Sequence, residues 1–189
     1  MDAELEKLKT HYAPFVYNII EGNRKFFNSN LFDFMVRFEF FCDERIANFA
    51  KYDSKKDVVG VNLFSADYAY SINKPLYIEF YLLHELRHRF QWFIVCAGDM
   101  GGDVGVYAEE AKVWKKEWTG YKKPVSHNES LEAYSKQSME FDANVYAYAV
   151  MQYKYGDIPY LKDCIPKCYG KNFYEKADEW CQRFREMGI

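Results

Sequence analysis

The chain has 189 residues, a formal net charge of -3 and a hydrophobic fraction of 49%. This length suits one domain, and the hydrophobic fraction excludes wholesale disorder. The charge shows neither the basic excess nor the basic stripe of a nucleic-acid-binding protein, so we expect no nucleic-acid partner.

The first half of the chain predicts a helix followed by strands. Apolar residues spaced three and four apart predict a helix over 2–28, which Pro14 kinks or divides. Aromatic and β-branched residues predict a strand over 32–42. A polar turn separates two further strand-like runs, so 46–52 and 58–64 are expected to pair as a hairpin.

The middle of the chain is dominated by a long helix predicted over 73–96. Asn73 is a plausible N-cap and Pro75 suits the first turn. Apolar residues occur on almost every side of this helix, which is typical of a core helix. The glycine-rich segment 98–105 is interpreted as a connection, and a short helix is expected at 106–118.

The rest of the chain is predicted to be helical. A short helix at 129–136 precedes a longer one at 138–155, which ends at Gly156, a favourable residue for the end of a helix. A last helix is expected at 171–187. Together with the strands, these helices predict an α+β fold in a single domain spanning 1–189.

The cysteines and the amino terminus favour a reducing compartment. Five cysteines are an odd number, which argues against a disulfide framework. The first residues lack the apolar core of a secretory signal, and no stretch of about 18 apolar residues is present to cross a membrane. We therefore expect a cytoplasmic protein with free thiols and no membrane partner. A metal site at Cys164, Cys168 and Cys181 is a weaker alternative, because it lacks a fourth ligand.

The strongest motif is His84-Glu85-Leu86-Arg87-His88 on the core helix. Residues four apart lie on one helical face, so the imidazoles of His84 and His88 can bind one Zn²⁺. Glu85 is rotated by about 100°, which directs its carboxylate to a zinc-bound water instead of the ion. The alternative is a structural histidine pair. Because burying unpartnered polar rings is costly, we favour a metal site.

A catalytic zinc needs a third protein ligand and an open position for water. Position 94 is Ile94, so the third histidine of the metzincin pattern is absent. We select Glu140, because it opens a helix whose small residues allow close packing against the core helix. The alternative role of Glu140 is a favourable charge at a helix amino terminus. The glutamates weighed for the third ligand are Glu109, Glu110, Glu117, Glu129, Glu132 and Glu140.

Two further residues of the second helix are candidates to support the ligands. Asn144 follows Glu140 by four residues on the same face, where it is placed to orient a liganding imidazole. Asp142 is a second candidate for such a role. Arg87 and Arg89 are candidates to bind a substrate carboxylate, although pairing with Asp142 or Glu79 is the simpler expectation.

The motif at His84, Glu85 and His88, with Glu140 opening the pattern E-x-x-A-x-x-x-A, resembles the small gluzincin-type metallopeptidases. It is most similar to the minimal ImmA/IrrE-like domains. The resemblance implies zinc on the two histidines and Glu140, with Glu85 as the general base. It also implies a downstream Tyr or His that stabilises the oxyanion.

The resemblance also implies a fold. It predicts a zincin-like core at about 32–155, in which a small mixed or antiparallel sheet of about three strands packs on the two motif helices. The amino-terminal helix at 1–28 and a helical extension at 157–189 lie outside this core.

The sequence leaves the oxyanion-stabilising residue and the substrate open. Tyr134 and His127 are the first choices for that residue, with Tyr107 and Tyr146 also conceivable. The favoured function is a zinc-dependent peptidase acting on an intracellular protein or peptide. The alternatives are a zinc-stabilised binding or regulatory module without turnover, and a zinc hydrolase of a small amide or ester. The sequence does not decide the oligomeric state.

Overall fold

A computed structural model describes residues 2–27, 35–44, 48–122 and 128–189. These residues adopt an α+β fold in which helices surround a small three-stranded mixed sheet. The predicted α+β class and the predicted three-stranded sheet are therefore confirmed. None of the described helices combines the length and apolarity that crossing a bilayer requires.

The described residues contain seven α-helices, three strands and several short 3-10 turns. The helices are α1 (Asp2–Asn23), α2 (Leu63–Ser71), α3 (Leu76–Asp99), α4 (Ala108–Thr119), α5 (Asn128–Ser135), α6 (Ser138–Tyr155) and α7 (Gly170–Glu186). The strands are β1 (Arg37–Phe41), β2 (Ala50–Asp53) and β3 (Val58–Asn62), and 3-10 turns occupy Arg24–Phe27, Gly105–Tyr107, Pro159–Cys164 and Lys167–Tyr169.

The sheet has the strand order β1-β3-β2, which makes β3 the central strand and β2 an edge. β3 is buried along its whole length, as its run of apolar residues requires. The predicted hairpin is confirmed, with β2 antiparallel to β3 and Tyr52 opposite Val59. β1 runs parallel to β3, with Phe38 opposite Val59. Among the described residues no strand pairs with the other edge of β2, where the Tyr52 amide donates to Glu85 of α3.

The second hairpin strand ends earlier than predicted. The sequence extends it to residue 64, but β3 ends at Asn62 and α2 begins at Leu63. The Asn62 side chain accepts a hydrogen bond from the amide of Phe64 at 3.3 Å and so caps this helix. Leu63 and Phe64 are strand-like by composition, which is why the sequence alone missed α2.

The core helix α3 begins three residues later than predicted. Pro75 occupies the N-cap position, whereas Asn73 has a φ of 56° and lies in a left-handed turn. The prediction that Asn73 caps this helix is therefore wrong. The burial of α3 on nearly every side confirms that it is a core helix. It packs against β2, α4 and α6.

The remaining helices enclose this core. α1 passes through Pro14 and ends at Asn23, short of the predicted residue 28. α6 ends at Gly156, whose φ of 74° is the conformation expected of glycine at this position. α7 packs along α6. The pair α3 and α6 is therefore buried at the centre of the molecule.

Candidate metal centre

One turn of α3 carries both motif histidines towards α6. The Nε2 atoms of His84 and His88 lie 3.0 Å apart, and both side chains are buried. The four-residue spacing places them on one face of the helix, as the motif predicts. The two ring nitrogens therefore point at a common position between the helices.

Glu140 reaches the same position from the first turn of α6, and it is fully buried. Its Oε1 lies 3.3 Å from His88 Nε2, and its Oε2 lies 3.4 Å from His84 Nε2. The structure thus brings together all three residues that the sequence selected as metal ligands. Cys164, Cys168 and Cys181 form no such cluster within the described part of the chain.

The spacing of these atoms suits a single metal ion. Two ligand atoms at about 2.0–2.1 Å from a tetrahedral zinc lie about 3.3 Å from each other. The three measured separations fall between 3.0 and 3.4 Å. Each oxygen of Glu140 lies beside a different imidazole, and every separation is close to that of two ligands of one ion. The two imidazoles and the Glu140 carboxylate could therefore supply three ligands to one ion of this size, with a fourth position left for another ligand.

The hydrogen bonds around His88 fix the orientation of its ring. The Gln91 amide nitrogen donates to Met139 O at 2.9 Å and to Asp142 Oδ2 at 2.8 Å. The Gln91 oxygen therefore faces His88 and accepts from its Nδ1 at 2.8 Å. Because Nδ1 carries the hydrogen, the lone pair of Nε2 points at Glu140 in the neutral ring.

Two buried atoms of this cluster have no hydrogen-bond partner among the described residues. They are His84 Nδ1 and Glu140 Oε2. Buried polar atoms nearly always have a hydrogen-bond partner. A buried carboxylate oxygen without one, close to two imidazoles, therefore indicates that a cation can bind at this position. The donor set, two imidazoles and one carboxylate, is one that zinc takes in catalytic sites.

The cluster attracts a proton in the metal-free protein. Burial opposes a charged imidazole, but the Glu140 carboxylate outweighs it and raises the pKa of His88 to about 9. Burial likewise opposes the ionised carboxylate, yet the imidazoles of His88 and His84 hold the pKa of Glu140 far below its usual range. A proton and a metal ion therefore compete for the same position.

This competition predicts that the metal affinity depends on pH, which titration with Zn²⁺ can test. Because the metal must displace the His88 proton below about pH 9, the affinity is expected to rise about tenfold per pH unit up to that value and then level off. Competition titrations with a chromophoric chelator measure this. In the metal-free protein, the folded state binds the His88 proton more tightly than the unfolded state does. The contribution of this proton to the free energy of unfolding is therefore complete below about pH 6.5 and is lost as the pH rises to about 9. A zinc affinity that does not change between about pH 6.5 and about pH 9 contradicts the prediction.

Glu85 lies beside the cluster without joining it. Its Oε2 accepts a hydrogen bond from the amide of Tyr52 on the edge strand β2 at 2.7 Å. Burial raises the pKa of Glu85, although the nearby imidazoles of His84 and His88 oppose this shift. The carboxylate is thus held by the backbone, close to the cluster, with increased basicity.

A cavity of about 340 Å³ opens beside His84 and Glu85. It lies between α3, α5 and the segment that follows α6, and its wall includes Tyr134. Burial and the Glu140 carboxylate raise the pKa of Tyr134, so its hydroxyl remains a hydrogen-bond donor. The structure therefore places Tyr134 at the site, while the other first choice, His127, lies outside the described residues.

The two other tyrosines that the sequence considered lie elsewhere. The Tyr146 hydroxyl donates to the carbonyl of Phe26, and the rings of Tyr146 and Tyr107 lie against the guanidinium of Arg87. Neither lines the cavity beside His84. Both pack around the guanidinium of Arg87, so the structure does not support either of them as the residue that contacts an oxyanion.

The supporting residues differ from those predicted. Asn144 donates to Glu140 O at 2.9 Å and to the Tyr169 hydroxyl at 3.2 Å, so the prediction that it orients an imidazole is wrong. The residue that orients His88 is Gln91. Asp142 supports His88 indirectly, because it accepts a hydrogen bond from Gln91. The signal for Gln91 was its position three residues after His88 on the same helix.

Arg87 and Arg89 both form ion pairs away from the cluster. Arg87 donates twice to Asp142, at 2.8 and 3.1 Å, which confirms the simpler expectation for this residue. Arg89 pairs with Asp57 in the hairpin turn, at 2.7 and 2.9 Å, and not with either of the carboxylates considered. Both arginines are engaged in holding the fold together.

Glu140 also accepts a hydrogen bond from a tyrosine that the sequence did not identify as part of the site. The hydroxyl of Tyr121, just after α4, donates to Glu140 Oε1 at 2.7 Å. Tyr121 lies 19 residues from Glu140 along the chain, outside any helix or strand, so no periodic pattern in the sequence pointed to it.

No protein-family model, curated protein or solved structure matches this chain. The similarity to the ImmA/IrrE-like domains therefore rests on the motif residues alone.

Proposed function

We propose that the protein is a zinc-dependent peptidase that hydrolyses a peptide bond of a protein or peptide substrate. The observation that carries this proposal is the position of Glu85. Its carboxylate is held beside a buried cluster of two imidazoles and one carboxylate whose spacing suits a tetrahedral ion. A purely structural zinc site has no use for such a base and is closed by a fourth protein ligand.

His84, His88 and Glu140 would hold the ion. Zinc bound there would supply Lewis acidity, lowering the pKa of a bound water towards about 7 and polarising the substrate carbonyl. Gln91 orients the ring of His88 so that its Nε2 faces Glu140, where it would be available to bind the ion. An outer-shell partner of this kind makes a ligating imidazole more basic.

Glu85 carries the proton. Its burial raises its pKa, which improves its ability to take a proton from the attacking water and to deliver it to the leaving amine. The Tyr52 amide orients the carboxylate throughout. Tyr134 on the cavity wall is the donor that we assign to the oxyanion, because its raised pKa keeps its hydroxyl protonated.

The edge strand β2 is the proposed binding surface for the substrate backbone. Asn62 donates to Phe49 O at 2.8 Å, so the alternation of an antiparallel pair directs the backbone groups of Ala50 and Tyr52 to the free edge. The amide of Tyr52 is already hydrogen-bonded to Glu85, whereas Ala50 lies on the wall of the cavity. A peptide that adds as a strand would pair with this edge.

The size of the cavity favours a second candidate function. A volume of about 340 Å³ lies at the lower end of the range for small-molecule sites. A zinc hydrolase of a small amide would use the same ligands and the same base. Assays of a peptide mixture beside a set of short acyl amides separate the two functions, because an edge-binding peptidase requires residues on both sides of the cleaved bond.

Replacement of Glu140 by glutamine tests the metal site. The loss of an anionic ligand is expected to lower zinc affinity by more than the roughly 10- to 100-fold that an outer-shell change costs. Metal analysis of the purified protein should find one zinc in the wild type and a strongly reduced content in the variant. The control is Glu132→Gln on α5, a glutamate weighed as a ligand and found paired with Lys136 on the surface. Equal zinc in all three proteins would exclude this cluster as the site.

The activity is tested on the zinc-loaded protein with a complex mixture of peptides. We expect new peptide termini, detected by mass spectrometry, that disappear on chelation and return when zinc is added back. If the zinc-loaded wild type leaves both peptides and acyl amides intact, the non-catalytic binding module becomes the better explanation.

A further inference from the structure

The segment after α4 brings an additional side chain to the candidate metal centre. Tyr121 donates its hydroxyl to Glu140 Oε1 at 2.7 Å. Its ring is stacked against Trp118, with centroids 6.3 Å apart and planes 22° from parallel. The inference below rests on the proposed zinc site and concerns the way in which Glu140 binds the ion.

The two oxygens of Glu140 are in different situations. Oε1 accepts the hydrogen bond from Tyr121, whereas Oε2 is buried and has no hydrogen-bond partner among the described residues. Oε2 lies 3.4 Å from His84 Nε2 and Oε1 lies 3.3 Å from His88 Nε2, so both oxygens are close enough to an imidazole to share an ion with it. The hydrogen bond from Tyr121 distinguishes them, because it engages Oε1 and leaves Oε2 for the metal.

We propose that Tyr121 is a positioning residue that makes Glu140 bind the metal through Oε2 alone. The hydrogen bond to Oε1 fixes the rotation of the carboxylate and weakens this oxygen as a ligand. A carboxylate that bound through both oxygens would occupy an additional coordination position. The hydroxyl of Tyr121 thereby keeps a position open for the water that hydrolysis requires.

The backbone around Tyr121 is fastened to the start of α6 on both sides. Before Tyr121, Glu117 accepts hydrogen bonds from the amides of Ser138 and Met139 at 2.8 and 2.9 Å. After it, Lys122 and the Gln137 side chain exchange two hydrogen bonds, at 2.9 and 3.1 Å. These ties set the distance between Tyr121 and Glu140, as a precise supporting contact requires.

Tyr134 provides a matched comparison, because it also lies near Glu140. The rings of Tyr121 and Tyr134 meet edge to face with their centroids 6.0 Å apart, and the Tyr134 hydroxyl also interacts with the Glu140 carboxylate. Tyr134, however, lines the cavity beside His84, and Tyr121 does not. We therefore assign metal-ligand positioning to Tyr121 and contact with substrate to Tyr134.

The test compares Tyr121→Phe with Tyr134→Phe in the full chain. For Tyr121→Phe we expect a zinc dissociation constant about 10- to 100-fold higher, the usual effect of losing an outer-shell partner. The visible absorption of the Co²⁺-substituted protein should also weaken, as the coordination number increases from four to five. For Tyr134→Phe we expect the Co²⁺ spectrum of the wild type and a smaller loss of zinc affinity than for Tyr121→Phe, together with reduced turnover.

Wild-type zinc affinity and a wild-type Co²⁺ spectrum in Tyr121→Phe overturn the proposal. Thermal unfolding of the metal-free proteins checks that the fold is retained, since the phenylalanine ring can still stack on Trp118. If Tyr121→Phe does not fold, Gln137→Ala decides, because it loosens the same segment without removing the hydroxyl. A smaller loss of zinc affinity supports the proposal, and an unchanged affinity overturns it.

Neither readout depends on hydrolysis, so this inference and the proposed function can fail separately. If the wild-type protein binds zinc and Co²⁺ but cleaves no substrate, the proposed peptidase function is contradicted. The role of Tyr121 is then decided by the variants alone. A wild-type protein that binds no metal overturns both.

Discussion

Replacement of Glu85 by glutamine is expected to lower turnover about 10²- to 10⁴-fold while leaving one zinc per chain. The amide of glutamine has nearly the same shape as the carboxylate and retains an oxygen that can accept the hydrogen bond from Tyr52. It cannot accept a proton from water at neutral pH. The variant therefore removes the base without disturbing the ligands or the edge strand.

Measurement of kcat/KM beside metal content decides between the proposed roles of the site. The control is Glu21→Gln, which changes an exposed glutamate on α1 that pairs with Arg24. Full activity in Glu85→Gln rules out Glu85 as the general base. A biological effect that survives in Glu85→Gln, yet is lost in Glu140→Gln, would instead indicate the zinc-stabilised module.

Replacement of Arg87 by methionine is expected to lower the free energy of unfolding by about 3 kcal/mol, because it removes a buried guanidinium and leaves the partly buried carboxylate of Asp142 without its charged partner. Arg87 is 2% exposed, and it donates to both oxygens of Asp142. Its guanidinium also lies 4.5 Å from the ring of Tyr146 and 4.6 Å from that of Phe90. Methionine retains the length of the side chain but loses both kinds of contact.

Urea denaturation of the metal-free protein measures this effect without any contribution from zinc. The double variant Arg87→Met with Asp142→Leu should recover part of the loss, because neither charge is then left unpaired. Recovery should be incomplete, since Asp142 also accepts a hydrogen bond from Gln91. The control is Arg185→Met on the exposed side of α7. A loss below about 1 kcal/mol for Arg87→Met, the value of a surface pair, contradicts the assignment.

A chain of hydrogen bonds through Asp142 and Gln91 connects the stability of the fold to the orientation of His88. Asp142 pairs with Arg87 on one side and accepts from Gln91 on the other, and Gln91 in turn orients His88. The ion pair that stabilises the packing of α3 on α6 therefore also holds a ligand of the candidate metal centre. Stability and metal affinity are expected to fall together when this pair is broken.

The sequence by itself determined the parts of the site that depend on local geometry. A helix places residues four apart on one face, so His84 and His88 could be assigned to a common ion from their spacing. The small residues after Glu140 indicated close packing between α6 and α3, and the structure brings its carboxylate to the two imidazoles. The bounds of α6 and the α+β class also followed from local patterns of apolar residues and glycine.

Only the tertiary structure decided which side chains support the ligands. The spacing of Asn144 placed it on the face of Glu140, but the packing of α6 turned it towards Tyr169, and Gln91 took its expected role. Tyr121 reaches Glu140 from a turn whose position depends on ties between α4 and α6. Local pattern fixes the direction of a side chain relative to its own helix, whereas its neighbours depend on how the helices pack.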